Sequence, residues 1–297
     1  MTTLLHIDEP PRPATPARLP WALWALGFRP LYLLAATYAA LAIPLWALQY
    51  AGWLPGLRAP AWHAHEMLFG FTQAIIVGFL FTAGRNWSGQ PTPTGRALMA
   101  LAALWLAGRV LAYTPWTLAA LVVNVAFPVA SAIALFRALQ AGGNRRNYFF
   151  AAVLLGMGVA QGLVHAALAG WLTLPSSIGL QLGLDAVLFV MAVMGGRVIP
   201  MFSNNGAPGT DAQRRPWIEK LALGAVLALA AFDALGLHGI ALAVLLAVAA
   251  AAHAARLALW HPWRTRRVPL VWVLHAAYAW LPLHLALRAA AELGWIA

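Results

Sequence analysis

The sequence predicts an all-α protein, a polytopic bundle of about nine transmembrane helices with a cytoplasmic N-terminus. Three observations predict it. Of its 297 residues, 62% are hydrophobic and only 9% are charged, with a mean hydropathy of +0.74, a balance too apolar for a soluble core. The apolar residues come in runs long enough to cross a hydrocarbon layer of about 30 Å. Arginine is largely confined to alternate links between those runs, as in the cytoplasmic loops of membrane proteins.

The runs lie at 30–51, 65–83, 96–113, 116–136, 148–169, 178–201, 217–236, 239–260 and 269–292. Residues 1–26 precede them as a cytoplasmic tail, since the first twenty residues carry Asp8, Glu9 and several prolines without a continuous apolar stretch, so they read as disordered and not as a signal peptide. Residues 27–297 form the transmembrane domain. Thr114-Pro115 and Leu237-His238 are links short enough to make tight helical hairpins. Arg12, Arg18 and Arg29 precede the first run, Arg85 and Arg96 flank the second link, and Arg137, Arg145 and Arg146 the fourth. Arg214, Arg215 and Lys220 follow at the sixth, and Arg264, Arg266 and Arg267 at the eighth, whereas the intervening links hold little beyond Arg58. That asymmetry puts the N-terminus in the cytoplasm.

The formal charge of +11 is therefore topological. No basic face interleaved with aromatics exists, and no nucleic-acid partner is expected. The lipid bilayer is the expected surrounding. Cysteine is absent, which excludes disulfides, iron-sulfur clusters, thiolate metal sites and covalent haem attachment. A metal here must use His, Met, carboxylate or water, and a haem must be held non-covalently, as a b-type group is.

Polar side chains in such runs are costly and face protein, water or a metal. The densest group is Trp62-His63-Ala64-His65-Glu66-Met67, at the head of the second run. On a regular helix His63, Glu66 and Met67 share a face and His65 points away from it. Either the turn is irregular there or the two histidines serve different partners. An interfacial His-Trp cluster is the plain alternative. Gln161 with His165, and Gln181 with Asp185, are pairs four residues apart in the outer halves of the fifth and sixth runs. His275 and His284 lie within the ninth. Gly158/Gly162 and Gly179/Gly183 would let the fifth and sixth runs approach closely. Near the cytoplasmic end of the sixth run stands Gly195-Gly196-Arg197-Val198-Ile199-Pro200, where Arg197 offers a fork for a carboxylate or serves as a topological charge. Arg109 and Asn124 suit a structural contact. His238, His253 and His261 read as interface residues near loop ends.

Gly27-Phe28-Arg29-Pro30, Trp62 through Phe71, Asn86-Trp87, Gly196-Arg197-Val198-Ile199-Pro200-Met201-Phe202 and Leu274-His275-Ala276-Ala277-Tyr278-Ala279-Trp280 together resemble the NnrS family, bacterial haem- and copper-containing membrane proteins of the nitric-oxide response. The resemblance runs over the whole chain in order. It implies a multi-pass protein of the bacterial inner membrane that binds haem and copper, meets nitric oxide or iron-nitrosyl species and relieves nitrosative stress during denitrification. The family pattern carries about three further spans beyond Ala297 and a threonine where Ser203 stands here, so a short variant or a fragment is expected.

The expected cofactor-binding residues are His63, His65, His165, His275 and Arg197, the last on a haem propionate. Those expected at metal are His63, His65, Glu66, His165 and His275, with Glu66 orienting an imidazole. Whether the protein is an enzyme stays open, since no residue encodes turnover, and a respiratory electron donor is the partner turnover would require. Carriage of haem, copper or iron-nitrosyl species is the alternative, although the sequence shows no internal repeat and no matched pair of broken helices.

Overall fold

A computed structural model describes residues 22–53 and 59–296, and these contain helices and no strand. In order they are α1 (Phe28–Tyr50), α2 (Ala59–His65), a π-helical segment (Glu66–Thr72) leading straight into α3 (Gln73–Ser88), α4 (Gly95–Leu111), α5 (Thr117–Ala141), α6 (Phe149–Leu168), α7 (Ser176–Gly206), α8 (Pro216–Ala234), α9 (Ile240–Leu259) and α10 (Pro269–Glu292). Leu and Ala, strong helix formers, dominate the rods. Gly and Pro punctuate the links: Gly89 ends α3 at φ +65°, and Pro216 and Pro269 begin α8 and α10.

Because α2, the π segment and α3 run on as one rod, the described residues form nine rods, one for each expected run. Seven stretches are long and apolar enough to cross a membrane. The two that fall short are α4, at 17 residues only about 26 Å long, and α8, which carries Glu219, Lys220 and Asp233 within 19 residues. Within the tail expected to be disordered, Ala22–Ala25 form a 3₁₀ turn whose Ala22 carbonyl accepts from Arg29 at 2.6 Å. Residues 1–21, with His6 and Trp21, and Arg58 lie outside the described residues.

Helix α7 divides the bundle. Buried side chains of α1, α3, α4, α5 and α6 form one core, including Leu80, Phe81, Trp105, Phe127 and Phe150. Those of α8, α9 and α10 form a second, around Leu229, Leu246, Trp260 and Leu285. Helix α7 contributes to both, Val187 and Val190 to the first and Leu188 and Ala192 to the second. Outward faces carry exposed Leu41, Val122, Val159 and Trp280, as a lipid-facing surface would. At the arginine-rich end the links are tied together: Asn144 donates to the Trp87 carbonyl at 2.7 Å, and the Gln213 amide to the Leu259 carbonyl at 2.9 Å.

The glycine pairs work differently from the expected mutual approach. A methyl at Gly179 would meet the Ala160 carbonyl at 2.6 Å, so α7 does press on α6 there. Gly183 instead clears the Phe69 ring, at 2.5 Å from such a methyl, and Gly158 and Gly162 face Pro128 and Val125 of α5. Only one of the four glycines serves the α6–α7 backbone contact.

Candidate metal centre

The π segment positions the site. It begins at Glu66, immediately after His65, while His63 and His65 themselves stand on the regular turn of α2. Of the two alternatives the second holds, and the two histidines serve different partners. His63 stacks on Trp46 of α1 with ring centroids 4.2 Å apart at 21°. His65 turns inward, 4% exposed, to meet His165 of α6 edge to face at 4.8 Å.

Glu66 is fully buried and is held by three helices besides its own segment. Its Oε2 accepts from the Tyr38 hydroxyl of α1 at 2.6 Å and from the Arg109 guanidinium of α4. Its Oε1 faces His65 Nδ1 at 2.8 Å. Arg109 also donates to Asn124 Oδ1, to which Gln161 Nε2 donates at 3.1 Å, while Asn124 Nδ2 donates to the carbonyls of Gly108 and Ala120 at 3.2 and 2.8 Å. The expected Arg109–Asn124 contact is thus one link of a network across α1, α4, α5 and α6. Gly70 makes it possible, since a methyl there would lie 2.8 Å from both the Arg109 and the Glu66 side chains. The same segment offers the Gly70 carbonyl to Trp105 Nε1 at 3.0 Å.

The chemistry follows from the hydrogen-bond directions. A carboxylate paired with Arg109 can only accept, so His65 Nδ1 carries a proton, and in the neutral ring Nε2 presents a lone pair. That Nε2 is buried without a hydrogen-bond partner, as is the Nε2 of His165. Both rings line a cavity of about 420 Å³ with Trp62, Glu66, Thr117 and Leu168, at the arginine-poor end of the bundle. Carboxylate on one ring nitrogen and a free lone pair on the other is how a metal-binding imidazole is oriented. Two unpartnered imidazole nitrogens lining one cavity suit copper, for which imidazole is a fitting ligand. Edge-to-face rings 4.8 Å apart leave no gap for a porphyrin between them, so His65 and His165 would not hold a haem jointly.

The remaining expected residues lie elsewhere. His275 of α10 bonds through Nε2 to Ser203 Oγ of α7 at 2.8 Å, beside Trp260. Arg197 donates to Asn147 Oδ1 at 2.7 Å. Leu180 packs at the level of Phe69, so Arg197 is on the order of 25 Å further along α7 at about 1.5 Å per residue. Among the described residues no three His, Asp or Glu side chains converge on a metal position. The four histidines expected together occupy three places, and His65 with His165 is the pair brought into contact. His284 lies half-buried in α10, its Nε2 enclosed and unpaired.

His253 differs from its expectation as an interface residue. It is 0% exposed, with Nδ1 2.6 Å from the Tyr278 hydroxyl, because α9 turns this face onto α10. The hydroxyl also accepts from Arg256 at 2.8 Å, and Arg256 grips Glu219 of α8 through Nε and a terminal nitrogen at 3.0 and 2.9 Å. Gly195 and Gly196 leave room for the Tyr278 ring and the Arg256 guanidinium. A third pair, Arg288 with Asp233, lies near Asp185, which accepts from Gln181 at 3.1 Å. Sequence reading missed these ion pairs. A signal did exist: Arg109 and Arg288 sit at the arginine-poor ends of their helices, against the loop bias, and each is neutralised by an acid.

The family described as NnrS protein matches residues 22–297, nearly the whole chain. No curated protein and no solved structure is significantly similar to it.

Proposed function

The chain belongs to the NnrS family, and from that membership we propose a nine-span protein of the bacterial inner membrane, N-terminus in the cytoplasm, that binds copper and non-covalent haem in the response to nitric oxide. The observation that carries the cofactor reading is the pair of buried, unpartnered Nε2 atoms of His65 and His165 lining one cavity. The donor set favours copper at this pair, with Glu66 holding the His65 ring through Nδ1 and the Arg109–Asn124–Gln161 network holding Glu66. A haem would be held by His165 or by the separate His63 or His275. When bound, such a metal supplies a redox-active centre with affinity for nitric oxide. The chain's own residues orient the His65 imidazole, pair Glu66 with Arg109, and line the approach with apolar groups.

The test is the dithionite-reduced absorbance spectrum and metal content of protein expressed with copper and haem supplied. A Soret band, or copper near one per chain, is expected. His65→Ala and His165→Ala should each lower copper content while His253→Ala leaves it unchanged. Equal content in all three variants would overturn the assignment. Anaerobic nitric-oxide consumption with an electron donor then separates an enzyme from a binder.

A further inference from the structure

Sequence motifs far apart in the chain meet at the arginine-rich end, opposite the histidine pair. Arg197 of α7 is framed by the rings of Trp87, Phe149 and Phe150, with its guanidinium carbon 5.7 to 5.9 Å from their centroids. It spends one N–H on Asn147 Oδ1 at 2.7 Å. Asn147, 4% exposed, donates to Asn144 Oδ1 at 3.0 Å, and Asn144 donates to the Trp87 carbonyl at 2.7 Å. This relay of amides aims the Arg197 fork and leaves its other donors free. Arg146 and Arg214 line the same pocket of about 380 Å³.

The charges there are unbalanced. Among the described residues neither Arg197 nor Arg146 has a carboxylate within ion-pair distance. Arg214 reaches Glu219 at 3.4 Å, but that carboxylate is already held by Arg256 through two bonds. Three guanidiniums around one pocket repel one another unless an anion joins them. We propose that this pocket is an oxyanion site for a phosphate group, supplied by the phosphodiester of an anionic lipid. A phosphate accepts from several guanidinium forks at once, as the arrangement requires. Its depth also fits. The walls are helix ends and links, with Trp87 one residue from the end of α3 and Arg214 just before α8, and basic pockets between transmembrane helices at this level suit anionic headgroups. The site stands apart from the histidine pair and does not depend on what that pair binds.

Delipidated protein in a neutral detergent is titrated with phosphatidylglycerol, phosphatidylcholine or inorganic phosphate, and occupancy is read by native mass spectrometry. The chain should retain phosphatidylglycerol over phosphatidylcholine. Arg146→Gln, at an exposed position where folding is not at risk, and Arg197→Gln should each weaken retention about tenfold, the loss of one charge-assisted contact. Arg137→Gln, exposed at the same end but outside the pocket, should change nothing. Inorganic phosphate that binds lipid-free protein with the same arginine dependence, and displaces the lipid, assigns the site to a soluble phosphate and upholds the phosphate chemistry. Absence of both lipid preference and arginine-dependent phosphate binding overturns the proposal.

Discussion

The two halves of the bundle on either side of α7 bury similar polar chains to different ends. In the first, Glu66 pairs with Arg109 and touches His65 directly. In the second, Glu219 pairs with Arg256, and the Tyr278 hydroxyl stands between that pair and His253. A carboxylate compels its neighbouring imidazole to donate, which in the neutral ring leaves the far nitrogen as a lone pair. A phenol can donate or accept, so it imposes no such choice. His65 faces a cavity and a second imidazole, whereas His253 is enclosed among Tyr278, Trp260 and the α8–α10 core. One relay leaves an imidazole nitrogen open to a cavity and the other braces three helices.

Breaking either ion pair should have the largest effect. Glu66→Ala or Arg109→Ala leaves a buried charge without its partner, at a cost of about 3–5 kcal/mol, read as lower thermal stability in detergent. Arg256→Ala should cost less, because Glu219 retains some solvent contact, and only the first-half variants should also lose copper. Comparable copper loss from Arg256→Ala would erase the distinction between the halves. Next come the glycines that make room for each pair. Gly70→Ala and Gly196→Ala overpack their sites by about 1–3 kcal/mol, and copper content should fall in the first alone. Smallest are Tyr38→Phe and Tyr278→Phe, each losing one or two hydrogen bonds worth about 1 kcal/mol apiece. If Tyr38→Phe destabilises as much as Glu66→Ala, Glu66 is not the hub of its network.

The architecture was legible because hydropathy and arginine spacing act over whole runs, and nine rods fall on the nine runs. Seven are apolar and long enough to stand as spans on their own, while the shortness of α4 and the charges of α8 blur the other two. His65, Glu66 and His165 were legible as costly polar groups at matched depth. Their partners were not, since nothing local to Tyr38, Arg109 or Gln161 says which rods adjoin. Spacing did separate His63 from His65, which stand on the regular turn of α2, but it grouped Glu66 with His63, whereas the carboxylate at the start of the π segment bonds to His65. His253 was misread because its position near the end of its run hid the fact that α10 covers it.

The seven wide-turn residues from Glu66 to Thr72 work as a phase shifter between the upper and lower parts of one rod. A residue gained or lost there re-clocks everything upstream by about 100°. Deleting one residue within this stretch would swing His65 off His165 while α3 stays seated, so length at this spot matters as much as residue identity.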